Sequence, residues 1–182
     1  MCLLTPTNDP LLHDYGNRRD IDIIEGSEDD VLSRYSKAMH EFLPDYMVRL
    51  TSDCPLLSPR IISQHIISAD KYKYDYVSNT NPKVRMHPDG WDCEVMNKKM
   101  MDWLKDNVTT SHDKEHVTTL VRSRPPKWAN IGDVLGELYL KDLKLSVDTQ
   151  EDLEFVRTYQ KLCRDNIGTA KARKTGNGYH IT

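Results

Sequence analysis

Two stretches decide the fold class of this chain: Val48-Arg49-Leu50-Thr51-Ser52-Asp53-Cys54-Pro55-Leu56 and Leu143-Lys144-Leu145-Ser146-Val147-Asp148-Thr149-Gln150-Glu151-Asp152-Leu153. Each is typical of an apolar strand that ends on an aspartate and turns into a helix. In an open α/β sheet, ligands bind in the crevice beyond the carboxyl ends of the strands. Two such strands can bring two carboxylates to one crevice, where they can hold Mg²⁺ against nucleotide phosphates.

Asp53 and Asp148 are therefore the candidate metal ligands, and each has a structural alternative. Pro55 fixes the chain direction after Asp53, so we expect that carboxylate to point out of the sheet end, but an Asx-turn explains the same residue. Asp148 is placed to cap the next helix, although Thr149 already fills that position. If both bind one Mg²⁺, each supplies only one oxygen, because Mg²⁺ keeps waters and takes other ligands from phosphate.

Length and composition favour one globular domain, predicted over residues 1–166 of the 182, with a flexible tail at 167–182. The net charge of −3 does not indicate a nucleic-acid or membrane-surface partner. The four cysteines contain no C-x-x-C pair, which favours a reducing, cytoplasmic setting. No apolar run approaches the length of a membrane span.

Strand and helix patterns alternate along the chain, which predicts an α/β fold with a mostly parallel sheet. Ser27 is predicted to be the N-cap of a helix that runs to about Glu41, with Asp30 as its capping-box partner. Ser58 and Pro59 are predicted to begin another helix. The remaining predicted strands are 1–5, 21–25, 46–51, 74–78, 91–95 and 143–148, and the remaining helices are 10–17 (closed by Gly16), 97–106, 112–124 and 150–164.

The segment after the predicted turn Pro88-Asp89-Gly90 alternates apolar and acidic residues, which is the period of a half-exposed strand. Asp92 and Glu94 then share one face of that strand. Carboxylates in such a row can accept hydrogen bonds from sugar hydroxyls. An ordinary solvated strand face explains the same pattern.

His112 and His116 lie four residues apart on a predicted helix, beside Glu115. The spacing is not H-E-x-x-H and no third ligand is evident, so a metal pair is not predicted. Glu115 and His116 are predicted instead to be polar ligand contacts.

Three arginines, Arg34, Arg49 and Arg122, are candidates for binding phosphate or a sugar carboxylate, because guanidinium binds both in a bidentate manner. The chain has no G-x-G-x-x-G, G-x-x-x-x-G-K-[ST] or G-x-S-x-G motif. This disfavours a Rossmann dehydrogenase, a P-loop NTPase and an α/β-hydrolase.

The run Gly26-Ser27-Glu28-Asp29-Asp30-Val31-Leu32-Ser33-Arg34-Tyr35 resembles the "GSEDDVLxRY" segment of one cytidylyltransferase family. This is the family of spore-coat polysaccharide biosynthesis protein F, related to the CMP-KDO and acylneuraminate cytidylyltransferases. Similar motifs follow in the family's order at residues 49–56, 74–80, 88–95, 115–118 and 146–153. The resemblance covers roughly residues 1–160.

The resemblance implies a GT-A-like three-layer α/β sandwich and Mg²⁺-dependent transfer of CMP from CTP to a sugar, for surface polysaccharide. It implies that Asp53 and Asp148 are the catalytic residues, as Mg²⁺ ligands. Nucleotide-binding residues would be Ser27, Ser52 and Asp53, and the acceptor-sugar side would be lined by Asp89, Asp92, Glu94, Glu115 and His116.

One departure from the family concerns the N-terminus. Family members begin with a strand and a phosphate-binding loop of the form L-x-x-R-x-x-S-x-R-L-P-G-K, whereas residues 1–11 resemble the family's second strand. The fold is therefore expected to be N-terminally truncated and to have unpaired strand edges, which favour a homo-oligomer or a partner chain that completes the sheet. CTP binding is expected to be weakened.

Three functional hypotheses remain from the sequence. The first is a CMP-sugar synthetase whose N-terminal part is supplied elsewhere. The second is a non-catalytic structural or binding protein derived from a cytidylyltransferase. The third, a glycosyltransferase of related fold, ranks last because Ser52-Asp53-Cys54 does not supply its D-x-D pair.

Overall fold

The computed structural model describes residues 1–165, 172–175 and 178–181, with side chains described up to residue 161. The chain divides into two compact units. Unit 1 contains Met1–Met47, Lys73–Tyr76 and Met96–Ile131. Unit 2 contains Val48–Tyr72, Val77–Val95 and the chain from Gly132 onward.

Helices and strands are interspersed along the described residues, which confirms the predicted mixed α/β class. The strands are β1 (Cys2–Pro6), β2 (Asp22–Gly26), β3 (Tyr46–Arg49), β4 (Tyr76–Ser78), β5 (Glu94–Asn97), β6 (Ile131–Asp133), β7 (Ala172–Thr175) and β8 (Gly178–Ile181). The helices are α1 (Pro10–Arg19), α2 (Val31–Phe42), α3 (Pro59–Tyr72), α4 (Lys98–Asn107), α5 (Ser111–His116), α6 (Thr119–Ser123) and α7 (Gln150–Asp165).

The strands of the described residues form three sheets, where the sequence predicted one. β1 and β2 pair in parallel, with Leu3 opposite Ile23 and Thr5 opposite Glu25. A four-stranded sheet has the order β3-β5-β4-β6, and β7 pairs with β8 in antiparallel fashion. Periodicity identifies a strand but does not say which strand edges pair. The predicted tail contains β7 and β8, and its other residues lie outside the described part of the chain.

The predicted half-exposed strand at residues 91–95 is wrong. β5 begins at Glu94, and its residues Glu94, Val95 and Met96 are all at most 1% exposed. Neighbouring strand residues point to opposite faces, so both faces of β5 are covered. The solvated-face interpretation of Glu94 is therefore excluded.

Two other predicted elements form differently. Residues 143–148 make only an isolated parallel bridge, between Lys144 and Asp89, in place of a strand. The predicted helix at 112–124 is divided into α5 and α6 at Val117, whose φ is 60°. Val117 is completely buried, so burial in the core rather than helix periodicity decides the chain path there.

The starts and ends of two helices also differ from prediction. Asp30, not Ser27, is the N-cap of α2, and its carboxylate accepts a hydrogen bond from the Ser33 amide at 2.9 Å. Ser27 Oγ accepts from the Asp30 amide at 3.1 Å, so Ser27 orders the turn before the cap. α1 continues through Gly16 and ends where Asp20 adopts φ 54°.

The core of unit 1 is built largely from α2, α4 and the segment after α5. α2 packs on α4, and its side chains Leu32 and Met39 are at most 4% exposed. Each buried side chain of this size stabilises the fold by about 1.5–3 kcal/mol. The core cluster consists of Leu32, Met39, Tyr76, Met96, Met100, Met101, Leu104, Val108, Val117, Leu120 and Val121.

None of the helices in the described part of the chain combines the length and the apolar content that a membrane span requires.

Two buried histidines lie in unit 2. His65 on α3 is 0% exposed, and its Nδ1 lies 2.8 Å from the Ile61 carbonyl oxygen, so Nδ1 carries the proton. His65 Nε2 and His87 Nδ1 have no hydrogen-bond partner in the described residues. Burial lowers the pKa of both histidines from the ordinary value of 6.5.

Because the pKa values of both histidines are lowered in the folded chain, we expect acid to destabilise it. Below about pH 6.5 the unfolded chain binds protons that the folded chain does not, so the free energy of unfolding falls by up to about 1.4 kcal/mol per pH unit for each histidine. Urea unfolding at pH 7.5 and pH 5.5 measures this slope. His65→Asn keeps a donor for the Ile61 carbonyl and should reduce the slope, whereas the exposed His116→Asn should not. Equal stability of the wild type at both pH values would contradict the prediction.

Candidate functional site

The loop after β3 holds Asp53 by a buried thiol. The Cys54 amide donates to the Thr51 carbonyl at 3.2 Å, which closes a turn. Cys54 Sγ lies 3.6 Å from Asp53 Oδ1 and 3.2 Å from Thr51 Oγ1. Burial raises the pKa of the Cys54 thiol to about 11, so the thiol is protonated and can donate to the carboxylate. Among the described residues, the hydrogen-bond donor to the Asp53 carboxylate is this thiol. An Asx-turn requires a backbone amide as the donor, so the described contacts do not form one.

The two stretches that carry the candidate metal ligands meet through the backbone. The Val147 amide donates to the Asp53 carbonyl oxygen at 2.8 Å. Asp148 is the next residue, and its side chain is 56% exposed. The two stretches are therefore joined by a backbone hydrogen bond, although residues 143–148 are not a strand, and a metal ion shared by their carboxylates stays a prediction.

The start of α7 is organised as predicted, and a lysine adds to it. Thr149 Oγ1 accepts from the Asp152 amide at 3.2 Å, and Asp152 Oδ2 accepts from the Thr149 and Asp148 amides at 3.0 Å. Lys144 Nζ lies 2.8 Å from Asp148 Oδ2 and 2.5 Å from Asp152 Oδ2. The hydrogen bond from Lys144 lowers the pKa of Asp152 to about 2, so Asp152 stays ionised at neutral pH.

Asp89 contacts the same extended segment. The Asp89 amide donates to the Leu143 carbonyl at 3.0 Å, and the Leu145 amide donates to the Asp89 carbonyl at 2.6 Å. Ser146 Oγ donates to Asp89 Oδ2 at 2.9 Å and lies 3.3 Å from Asp148 Oδ2. Gly90 has φ 95°, and a Cβ there would lie 2.4 Å from the Leu145 carbonyl carbon, so only glycine permits this close approach.

Arg85 organises the loop between β4 and β5. Its guanidinium lies 2.5 Å from Asp92 Oδ1 and 3.5 Å from Asp89 Oδ1, and it donates to the Pro88 carbonyl at 2.9 Å. Burial raises the pKa of Asp92, and the charge of Arg85 opposes that effect. The carboxylate of Asp92 is therefore engaged within the protein.

Glu94 is paired in the same unit. Arg49 Nη1 lies 2.5 Å from Glu94 Oε2, and the two side chains are 15% and 2% exposed. Arg49 therefore neutralises a buried carboxylate, which differs from the predicted phosphate contact. A contact of Glu94 with a sugar hydroxyl stays a prediction.

The predicted site residues are divided between the two units. Unit 2 contains Ser52, Asp53, Asp89, Asp92, Glu94 and Asp148, whereas unit 1 contains Ser27, Glu115 and His116. Ser27, Ser52, Glu115 and His116 are all exposed. Of the other predicted phosphate-binding arginines, Arg122 is exposed, but Arg34 is 7% exposed and donates to the Leu4 carbonyl at 3.1 Å, which is a structural role within unit 1.

The family model described as "Cytidylyltransferase" matches residues 18–175. The chain belongs to the cytidylyltransferase family.

Two curated proteins are similar to this cytidylyltransferase-family chain. An uncharacterized protein of Methanocaldococcus jannaschii is 29% identical over 147 residues, covering 80% of this chain and 58% of its own length. Spore coat polysaccharide biosynthesis protein SpsF of Bacillus subtilis is 26% identical over 156 residues, covering 84% of this chain and 63% of its own length. This chain therefore spans about three fifths of the curated relatives it matches.

Two solved structures show the same fold. A cytidylyltransferase from Leptospira borgpetersenii serovar Hardjo-bovis superposes with a TM-score of 0.80 at 21% identity, over 87% of this chain and 67% of that one. The structure of CMP:2-keto-3-deoxy-manno-octonic acid synthetase complexed with CTP superposes with a TM-score of 0.63 at 14% identity, over 88% of this chain and 81% of that one.

The donor set of this cytidylyltransferase-family chain fits Mg²⁺. Asp53 and Asp148 supply carboxylate oxygens, which hard cations prefer, and both side chains retain exposure. In the part of the chain that the structure describes, no three His, Cys, Asp or Glu side chains are grouped closely enough to hold a metal by themselves. Mg²⁺ needs no such cage, since one or two carboxylates, waters and substrate phosphates complete its shell.

Sequence reasoning missed the two cations of this site, Arg85 and Lys144. Arg85 lies seven residues before Asp92, which is farther apart than the three or four residues that bring two charges together on a helix. Lys144 lies four residues before Asp148, a spacing that signals an ion pair on a helix. The strand predicted for that segment concealed the signal.

Proposed function

We propose that this chain acts in the Mg²⁺-dependent transfer of CMP from CTP to a sugar acceptor for surface polysaccharide. The observation that carries the proposal is the hydrogen bond from Val147 to the Asp53 carbonyl, since it joins the two stretches that carry the candidate metal ligands. Family membership supports the reaction class, the SpsF relative supports a polysaccharide role, and the synthetase complexed with CTP supports the nucleotide.

The proposed mechanism is in-line attack of a sugar hydroxyl on the α-phosphorus of CTP. The new sugar–phosphate bond replaces the bond between the α- and β-phosphates, pyrophosphate leaves, and the hydroxyl proton passes to solvent. Bound Mg²⁺ would supply charge neutralisation at the phosphates. The chain itself orients the two ligands: the Cys54 thiol contacts the Asp53 carboxylate, and Lys144 pairs with that of Asp148. Catalysis then depends on positioning and electrostatics rather than on a covalent protein intermediate.

The same proposal includes a GT-A-like sheet, a cytoplasmic setting and a further strand from a second copy or a partner chain. Free Cys2, Cys54 and Cys93 support a reducing compartment. In the described residues, β1 and β3 each end the strand order of their sheet, and such edges accept further strands. A purified chain that stays monomeric at every concentration in sedimentation analysis would argue against the added strand.

Titration calorimetry with CTP, with and without Mg²⁺, tests the function. Saturable heat in the micromolar range that requires Mg²⁺, and that ATP does not reproduce, is the expected result. No heat at millimolar CTP from the folded chain would reject the nucleotide site and would favour the alternative of a non-catalytic binding or structural protein.

A further inference from the structure

Lys144 makes two ion pairs of different kinds at the start of α7. Its Nζ lies 2.8 Å from Asp148 Oδ2 and 2.5 Å from Asp152 Oδ2. The side chain of Asp152 is 15% exposed and also accepts the backbone amides of Asp148 and Thr149, so its position is fixed by the helix cap. The side chain of Asp148 is 56% exposed and accepts no backbone amide among the described residues, so it is the freer partner.

The ion pair with Asp148 places the positive charge of Lys144 next to a candidate metal ligand. Oδ2 of Asp148 lies 2.8 Å from the Lys144 ammonium, and Ser146 Oγ, which donates to Asp89, lies 3.3 Å away. A divalent cation bound to this carboxylate would lie a few ångströms from the Lys144 ammonium. Like charges repel each other at that distance even in water. Lys144 can leave Asp148 without losing its ion pair with Asp152, because that carboxylate is held in place by the cap.

We propose that Lys144 is an internal counter-ion of Asp148 that makes the site select metal–nucleotide over free metal. This inference rests on the proposed function. Alone, a divalent cation must displace or tolerate the lysine charge. With a nucleoside triphosphate, the phosphate oxygens compensate both positive charges, so the penalty disappears. Lys144 is a positioning residue in this scheme, and its consequence is that metal and nucleotide bind cooperatively.

Charge removal at Lys144 tests the inference, with Mn²⁺ as a paramagnetic substitute for Mg²⁺. Electron paramagnetic resonance measures the affinity of the whole chain for Mn²⁺, with and without CTP. Lys144→Gln should raise the affinity for free Mn²⁺ about tenfold, because one positive charge near a divalent ion is removed. The affinity in the presence of CTP should rise much less or fall, so the cooperativity between the ligands is reduced.

Three further variants sharpen the test. Lys141→Gln removes the same charge three residues away, where Lys141 Nζ lies over the Tyr139 ring and not at Asp148, and should leave both affinities at the wild-type values. Lys144→Arg keeps the charge and should keep the weak binding of free Mn²⁺. Lys144→Met repeats the charge removal if Lys144→Gln does not fold.

The outcomes separate this inference from the proposed function. Suppose that the wild type binds Mn²⁺ in the presence of CTP and that Lys144→Gln has unchanged affinity for free Mn²⁺. This result would overturn the counter-ion role but not the proposed function. Binding of Mn²⁺ by neither wild type nor Lys144→Gln under any condition would overturn the counter-ion role and the metal site of the proposed function together. A lower affinity for free Mn²⁺ in Lys144→Gln would show that the lysine helps the metal and would also overturn the inference.

Discussion

Replacing Asp148 by asparagine is expected to weaken the Mg²⁺-dependent binding of CTP by at least about 100-fold. Loss of a residue that only supports a metal ligand costs about 10–100-fold in metal affinity, and Asp148 is itself a proposed ligand. The amide keeps the shape of the side chain but removes the negative charge that a hard divalent cation requires. Asp53→Asn is expected to act in the same direction, since the two carboxylates share one cation in the proposed site. Calorimetric titration with CTP at fixed Mg²⁺ measures both variants.

The matched control is Asp142→Asn, which removes one negative charge from an exposed aspartate of the same segment. Its CTP affinity should equal that of the wild type. Asp148→Asn also loses the ion pair with Lys144, but a pair this exposed contributes less than about 1 kcal/mol, so the variant should remain folded. Wild-type CTP affinity in both Asp148→Asn and Asp53→Asn would reject the metal site.

Replacing Arg49 by methionine is expected to lower the free energy of unfolding by about 3–5 kcal/mol, because it leaves a buried carboxylate without its cation. Glu94 is 2% exposed at its side chain, and Arg49 Nη1 lies 2.5 Å from its Oε2. A loss of this size is a large fraction of the stability of a typical domain. Urea unfolding followed by circular dichroism measures it.

An exposed pair of the same chemistry provides the control. Arg60 Nη2 lies 2.7 Å from Glu137 Oε1, with side chains 70% and 77% exposed. Arg60→Met should change stability by less than about 1 kcal/mol. The double variant Arg49→Met with Glu94→Leu should recover much of the loss, since both buried charges are then removed. Equal effects of Arg49→Met and Arg60→Met would contradict the prediction.

Local signals predicted much of the fold. The cap at Thr149 is predictable from sequence because its chemistry lies within four residues of the chain. The start of α3 after Ser58 follows from an equally local rule. The segments at 91–95 and 143–148 were not predicted correctly, because burial of both strand faces and the pairing of strand edges depend on distant parts of the chain.

The sequence by itself determined the mixed α/β class, the family and the two stretches that end on Asp53 and Asp148, since these depend on the order and spacing of residues. Only the tertiary structure decided how each carboxylate is engaged. Arg85 pairs with Asp92, Lys144 with Asp148, and Arg49 with Glu94 across 45 residues of sequence. An ion pair forms wherever the backbone path brings opposite charges together, and that path is fixed by the packing of the whole unit.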